Sequence, residues 1–157
     1  MSVSTDYDAR RQELRRRYLT PDAPTRTTGA GVNHLALICS DLERTIEFYT
    51  QVLGFPLTEL FQNRDLPSST HFFFDIGHGN RLAFFDFPEH PMPPTQESIG
   101  GMHHIAISVE PEQFEAICRR LRERGSANLG PEQVTASVYV HDPDGALIEI
   151  TRQPLRG

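Results

Sequence analysis

Three residues invite a metal-centred reading. His34 and His104 lie in two short apolar runs, Val32–Cys39 and Met102–Val109, and each is followed two residues on by an alanine, Ala36 or Ala106. Alternate side chains of a strand share a face. His34 then shares a face with Ala36 and Ile38, while Leu35, Leu37 and Cys39 point the other way. His104 shares one with Ala106 and Ser108, opposed by Ile105, Ile107 and Val109. Small neighbours leave room beside each imidazole. A hydrogen-bonded core histidine is the ordinary account of either residue alone, but equivalent positions in a duplicated unit weaken that account. The third residue is Glu149, set among Leu147, Ile148 and Ile150. A carboxylate in such a strand needs a partner, because burying it unpaired is costly. A metal ion, an Arg ion pair or a solvated edge face would each serve. Two histidines and one carboxylate from different strands form the ligand set of the facial-triad iron(II) site.

A fourth group follows from turn chemistry. Asp142-Pro143-Asp144-Gly145 suits a type I turn closed by a left-handed glycine, a three-residue hairpin loop. In that register Asp142 faces Ala146 and Tyr139 faces Glu149 on the same side of the sheet. A two-residue loop would turn Tyr139 away. Tyr139 is therefore a candidate proton or hydrogen-bond donor beside Glu149, with an ordinary interior tyrosine as the alternative.

The elements that must position these groups are used twice. After the first run, Ser40 with Glu43 three residues later reads as a capping box. Leu42, Ile46, Tyr49 and Leu53 then recur at helical spacing, and Gly54 ends the helix. After the second run, Glu110-Pro111 opens a helix whose stripe is Phe114, Ile117, Cys118 and Leu121, closed by Gly125. Strands are expected over Leu57–Phe61, His71–Ile76 and Arg81–Phe87 in the first unit. The second has a weaker strand near Ala127–Leu129, then Ser137–His141 and Ala146–Arg152. The fold class is thus α+β: two βαβββ modules, one spanning residues 31–87 and the other 101–157, joined by a proline-rich linker loop at 88–100. Residues 31–157 form one domain. Residues 1–30 form an N-terminal arm, with a helix over Tyr7–Leu19 and a linker over Thr20–Thr28. Few apolar positions in that helix make it marginal alone, and it is expected to dock on the body or on a second subunit.

Composition removes other chemistries. The chain has 157 residues, 15 Arg, no Lys, 21 acidic residues and seven His. Without Lys there is no Schiff base and no P-loop lysine. The net charge of −6 argues against a general nucleic-acid binder. Residues 1–30 are slightly basic, with six Arg against four acids, and the rest is acidic. The two Cys, not spaced as CxxC, read as reduced, buried thiols of a cytoplasmic protein. No apolar run is long enough for a membrane span, and the N-terminus lacks a signal-peptide core.

The order of these elements, with GVNHLALICSDLERTIEFYTQVLGF, HHIAISV and VYVHDPDGALIEI, resembles the vicinal oxygen chelate superfamily over about residues 31–152. That group includes glyoxalase I, extradiol dioxygenases, fosfomycin-resistance thiol transferases, methylmalonyl-CoA epimerase and bleomycin-binding proteins. The resemblance implies an open half-barrel metal cavity built by paired modules. It implies His34, His104 and Glu149 as metal ligands; His103 has the wrong parity. Tyr139 matches a tyrosine of the extradiol and fosfomycin enzymes. The glyoxalase and epimerase patterns carry a fourth ligand in the last strand of module one. Here Phe84, or Ala83 with a one-residue shift, stands there, and Asp86 would need a larger slip. A three-ligand site is expected, with Fe(II) or Mn(II).

Extradiol enzymes also use an acid–base histidine at the start of that strand. The nearest match is Asn80, so His78 and His90 are the candidates, with surface loop histidines as the alternative. Typical catechol-cleaving enzymes have four modules, so this chain would be a small type. Against the fosfomycin branch, Ala36 replaces an expected hydroxyl, and Gly130–Ala136 shows no convincing potassium loop. The resemblance points first to a small extradiol-type dioxygenase acting on a catechol-like small-molecule substrate, with Phe72, Phe74, Phe84 and Phe85 as candidate walls. A glyoxalase-like lyase, a fosfomycin-type thiol transferase and a metal-free drug-binding protein stand as alternatives. A homodimer is expected, with the modules pairing within one chain or between two.

Overall fold

A computed structural model of the chain describes residues 3–19, 29–125 and 136–154. The expected linker at Thr20–Thr28 and the expected strand near Ala127–Leu129 lie outside those residues. The N-terminal helix α1, Val3–Tyr18, starts one turn earlier than expected. It belongs to a compact unit separate from the body that begins at Gly31. From Tyr7 to Leu19 it is exposed throughout. Arg11 pairs with Asp8 and Arg16 with Glu13, one turn apart.

The body shows the duplication directly. In module one, β1 (His34–Cys39) leads into α2 (Leu42–Glu47), which runs on as a π-helical segment, Phe48–Leu53. Then come β2 (Leu57–Gln62), β3 (Thr70–Asp75) and β4 (Arg81–Asp86). They form a sheet in the order β1-β4-β3-β2, with β1 parallel to β4 at one edge. In module two, β5 (Ile105–Ser108), α3 (Pro111–Glu123), β6 (Ser137–His141) and β7 (Leu147–Thr151) repeat the plan. That sheet is ordered β5-β7-β6, with β5 again an edge strand parallel to the last strand. Neither sheet closes into a barrel.

The α2 cap differs from the expected Ser40/Glu43 box. Asp41 is the N-cap, extended at φ −144°, and its carboxylate accepts the Arg44 N–H. Its charge also suits the positive end of the helix. Ser40 is engaged elsewhere: its backbone N–H donates to Asp144 of the second module at 3.0 Å. Gly54 closes the π-helical segment at φ +76°, a conformation that favours glycine, and a Cβ there would lie 2.5 Å from the Gln113 amide nitrogen and displace that side chain.

Both modules contribute to one core. Tyr49, Leu53, Phe72, Phe74, Leu82 and Phe84 from module one pack in one cluster with Ile107, Phe114, Ile117, Leu121, Ile148 and Ile150 from module two. Buried polar contacts cross the same seam. Gln113 Nε2 donates to the Leu53 carbonyl and Arg120 Nε to the Val52 carbonyl, both at 2.7 Å, which satisfies groups that a helix end leaves open. Tyr49 Oη donates to Asp142 at 3.1 Å. Burial pushes the Asp142 carboxyl up, opposed by N–H donors from Ala146 and Asp144 and by the Tyr49 hydroxyl. Cys39 and Cys118 are free, buried thiols. Among the described residues no helix is long and apolar enough to cross a membrane.

The Tyr49–Asp142 bond ties the two modules, so Tyr49→Phe is expected to cost about 1–2 kcal/mol. Urea unfolding of the variant against wild type measures it, and an unchanged midpoint would contradict that role.

Candidate metal centre

Sheet one carries His34 on its open face. The register places His34 opposite Arg81, Ala36 opposite Ala83 and Ile38 opposite Phe85. On β3, His71 pairs with Phe85 and Phe73 with Ala83, so these residues share that face. Phe61 and Glu59 of β2 extend it. β1 is poorly covered: Ile38 is 51% exposed and Leu35 38%.

The His34 ring is held on several sides. Its Nδ1 lies 2.7 Å from Asn33 Oδ1. Phe73 meets it edge-on at 5.7 Å. Arg81 donates to Asn33 Oδ1 at 3.4 Å and to Glu59 at 2.7 Å, with its guanidinium 4.7 Å from the centre of the Phe73 ring. Beside this network His71 stacks on Phe85 at 3.8 Å and meets Phe73 at 4.4 Å. His71 Nε2 is buried without a hydrogen-bond partner. Desolvation, then repulsion from His34, pushes its pKa down, so the ring is neutral at pH 7.

Sheet two carries the other candidates. Tyr139 pairs with Glu149, as the three-residue loop requires, and Ala106 flanks Glu149 on the other side. His104, just before β5, places Nε2 3.1 Å from Glu149 Oε2. The partner of Glu149 is thus a histidine, not an arginine. A hydrogen bond from Ser137 does most to hold the Glu149 carboxyl below its usual range. The Tyr139 hydroxyl and His104 add to it, and burial opposes. The same hydrogen bond to Glu149 raises the Tyr139 phenol, which is 46% exposed. Behind His104, its Nδ1 lies 2.7 Å from His103 Nδ1, and His103 Nε2 faces Glu97 at 3.6 Å.

His104, Glu149 and Tyr139 therefore stand together, whereas His34 stands on the other sheet. Among the described residues, no three His, Cys, Asp or Glu side chains of one chain group as a metal site. His78 sits at the exposed tip of the β3–β4 turn at φ +52°, between Gly77 and Gly79. That turn adjoins the end of β4 where Arg81 faces His34. His90 lies in an exposed turn beyond the opposite end of β4, away from His34. On β4, Ala83 shares the His34 face, Phe84 is in the core, and Asp86 accepts the Thr70 N–H from the other side. A carboxylate is thus lacking where a fourth ligand would stand.

The expected aromatic walls need correction. Phe72, Phe74 and Phe84 are core residues packed with Tyr49, and only Phe85 of that set lies on the His34 face. Phe73 and Phe61 are there instead. The run Phe72-Phe73-Phe74 has no polar residue to mark its parity, so only the observed pairing assigns it. Asn33, Arg81, Glu59 and His71 were also missed. Their one sequence signal was strand parity: His71 and Arg81 fall on the His34 face once β3 and β4 are in register.

Residues 31–150 match the family described as the glyoxalase/bleomycin resistance protein/dioxygenase superfamily. The chain is similar to lactoylglutathione lyase of Escherichia coli O157:H7, 32% identical, covering 76% of this chain and 90% of that protein. It is equally similar, at 32%, to the metallothiol transferase FosB of Shouchella clausii, over 76% of this chain and 78% of that one. In structure it is like the fosfomycin resistance protein FosX of Listeria monocytogenes, solved with Mn(II) and 1S,2S-dihydroxypropylphosphonic acid. The TM-score is 0.61, with 20% identity, over 82% of this chain and 96% of that one. A domain from Frankia sp. EAN1pec gives a TM-score of 0.65 at 17% identity, over 79% and 92% of the chains. At these identities the structures show the shared fold.

A carboxyl held low in the folded state stabilises the fold above its ordinary value, 4.5 for Glu149, and loses that contribution as pH falls through the lowered value. The stability gap between wild type and Glu149→Gln, followed by thermal melts of metal-free protein, should therefore shrink on acidification. A gap that widens as pH falls would contradict the assigned direction.

Proposed function

Because the chain belongs to the glyoxalase/bleomycin resistance protein/dioxygenase superfamily, we propose that it is a metal-dependent enzyme acting on a small molecule. The ligands are His34, His104 and Glu149, with Fe(II) or Mn(II) as the metal, in a homodimer where His34 of one copy completes the site begun by His104 and Glu149 of the other. The observation that carries this reading is the outward direction of both half-sites. The two sheets spend their apolar faces on a common core, so the His34 face and the Glu149 face both look away from it. The donor set fits a divalent ion: imidazole Nε2 of His104 beside a Glu149 oxygen, and a His34 Nε2 that makes no hydrogen bond among the described residues.

A bound divalent ion supplies Lewis acidity and a template for two neighbouring oxygens of a substrate, lowering the pKa of an attached hydroxyl. The chain's own groups do the rest. Phe61, Phe73 and Phe85 form an apolar floor beside His34 that suits a planar, catechol-like ring. Tyr139 holds a proton at its hydroxyl, kept there by the Glu149 bond. His71 offers a neutral imidazole on the same floor, and His78 is the acid–base candidate at the turn above Arg81. We assign the reaction first to ring-cleaving oxygenation. The floor supports it, as does the absence of a ligating side chain at Phe84 and Ala83, the two positions that the resemblance offers for the further ligand of the lyases. Group transfer to a small electrophile is the second reading, favoured by the likeness to FosB.

Protein purified anaerobically with Fe(II) or Mn(II) should hold close to one ion per chain, and His104→Ala should lose it. Oxygen uptake with a panel of catechols should then follow metal content. Thiol-adduct formation without oxygen uptake would move the assignment to group transfer. Wild-type protein that takes up no metal would overturn the enzyme reading in favour of a small-molecule binding protein.

A further inference from the structure

We infer that the residue immediately before each ligand histidine, Asn33 in module one and His103 in module two, is a positioning residue that accepts the histidine's Nδ1 proton and so reserves Nε2 for the metal. The inference rests on the metal reading above. The geometry is the same in both halves. His34 Nδ1 is 2.7 Å from Asn33 Oδ1, and His104 Nδ1 is 2.7 Å from His103 Nδ1. An imidazole that coordinates through one nitrogen commonly donates from the other, and the acceptor fixes tautomer and ring orientation.

Asn33 is held through Arg81, and His103 faces an exposed carboxylate. Asn33 Oδ1 receives Arg81 Nη2 at 3.4 Å, and Arg81 Nη1 donates to Glu59 at 2.7 Å. Those contacts assign the amide oxygen, not its nitrogen, to the His34 side, and an amide oxygen can only accept. In module two, His103 turns Nε2 toward Glu97 at 3.6 Å. When His104 Nε2 serves as a ligand its proton sits on Nδ1, and His103 Nδ1, at 2.7 Å, is then the acceptor. The two chains of contacts run Glu59–Arg81–Asn33–His34 and Glu97–His103–His104. They differ in composition and share a logic. Successive strand residues point to opposite faces, yet in both modules the residue before the histidine bonds its ring. Each such residue lies just outside its strand: Asn33 immediately precedes β1 and His103 lies two residues before β5. His103 thereby gains a role although its parity excludes it as a ligand.

The test uses full-length protein, with Zn(II) as a diamagnetic probe. Two-bond ¹⁵N–¹H spectra of the imidazoles read where each ring proton sits, in metal-free and Zn(II)-loaded protein. Zn(II) affinity is read by competition with a chelating dye. The variants are Asn33→Leu and His103→Leu, with Asn33→Asp and His103→Asn as versions that keep an acceptor oxygen. Urea unfolding of the metal-free variants separates loss of fold from loss of positioning. In Zn(II)-loaded wild type both His34 and His104 are expected to carry a proton on Nδ1; without metal the expectation is for His34, because His104 Nε2 then donates to Glu149. Each Leu variant should bind Zn(II) about tenfold or more weakly, and the two variants that keep an acceptor oxygen should largely recover the affinity. Either ring without a proton on Nδ1 in the Zn(II)-loaded protein, or Leu variants that bind Zn(II) as tightly as wild type, would overturn the inference. Wild-type protein that takes up no Zn(II) would count against the metal reading instead, and the metal-free spectrum would still decide the His34 tautomer.

Discussion

The packing of α2, its π-helical extension and α3 against the two sheets is the constraint from which the rest follows. Burial of large side chains such as Phe72, Phe84, Phe114 and Ile148 in one cluster removes apolar surface from water, the main favourable term in folding. Once those faces are used, the opposite faces of both sheets point away from the common core. They carry His34 in one case and His104 with Glu149 in the other. The hydrogen bonds across the seam, from Tyr49 to Asp142 and from Gln113 and Arg120 to helix-end carbonyls, fix how the modules meet. Core and site are therefore two sides of the same sheets.

The two halves divide the work unequally. Sheet one offers one candidate ligand and an aromatic floor, with Arg81 neutralised by Glu59. Sheet two offers two candidate ligands and a phenol held protonated by its bond to Glu149. Neither half alone presents enough donors for a facial triad. The homodimer proposed above would resolve the incompleteness, since a two-fold interface brings unlike patches of identical chains together in pairs.

Much of this was legible in the sequence because period and turn chemistry are local. The parity of His34 with Ala36 and of His104 with Ala106 followed from strand alternation. The Pro-Asp-Gly turn set the Tyr139–Glu149 register, which the pairing of β6 with β7 shows. What was not legible depended on competition or on distant partners. Ser40 and Asp41 are both good caps, and Asp144, over a hundred residues on, decided between them by engaging Ser40. The three successive phenylalanines of β3 carry no alternation, so their faces waited on the neighbouring strands. The backing of His34 by Asn33 depends on Arg81 across the sheet. Whether a second copy of the chain completes the site, as proposed, is likewise a matter of packing that no local pattern encodes.

Subunit complementation tests most directly the claim that the centre is shared between two copies. His34→Ala and Glu149→Gln chains would be prepared separately, mixed as equal amounts of unfolded protein and refolded together. Each variant alone should bind no Mn(II). In a mixed dimer, the intact His34 of one chain meets the intact His104 and Glu149 of the other, so one of the two sites is whole. Random pairing then predicts uptake of about a quarter of an ion per chain in the mixture. Uptake no greater than that of the separate variants would contradict a shared centre.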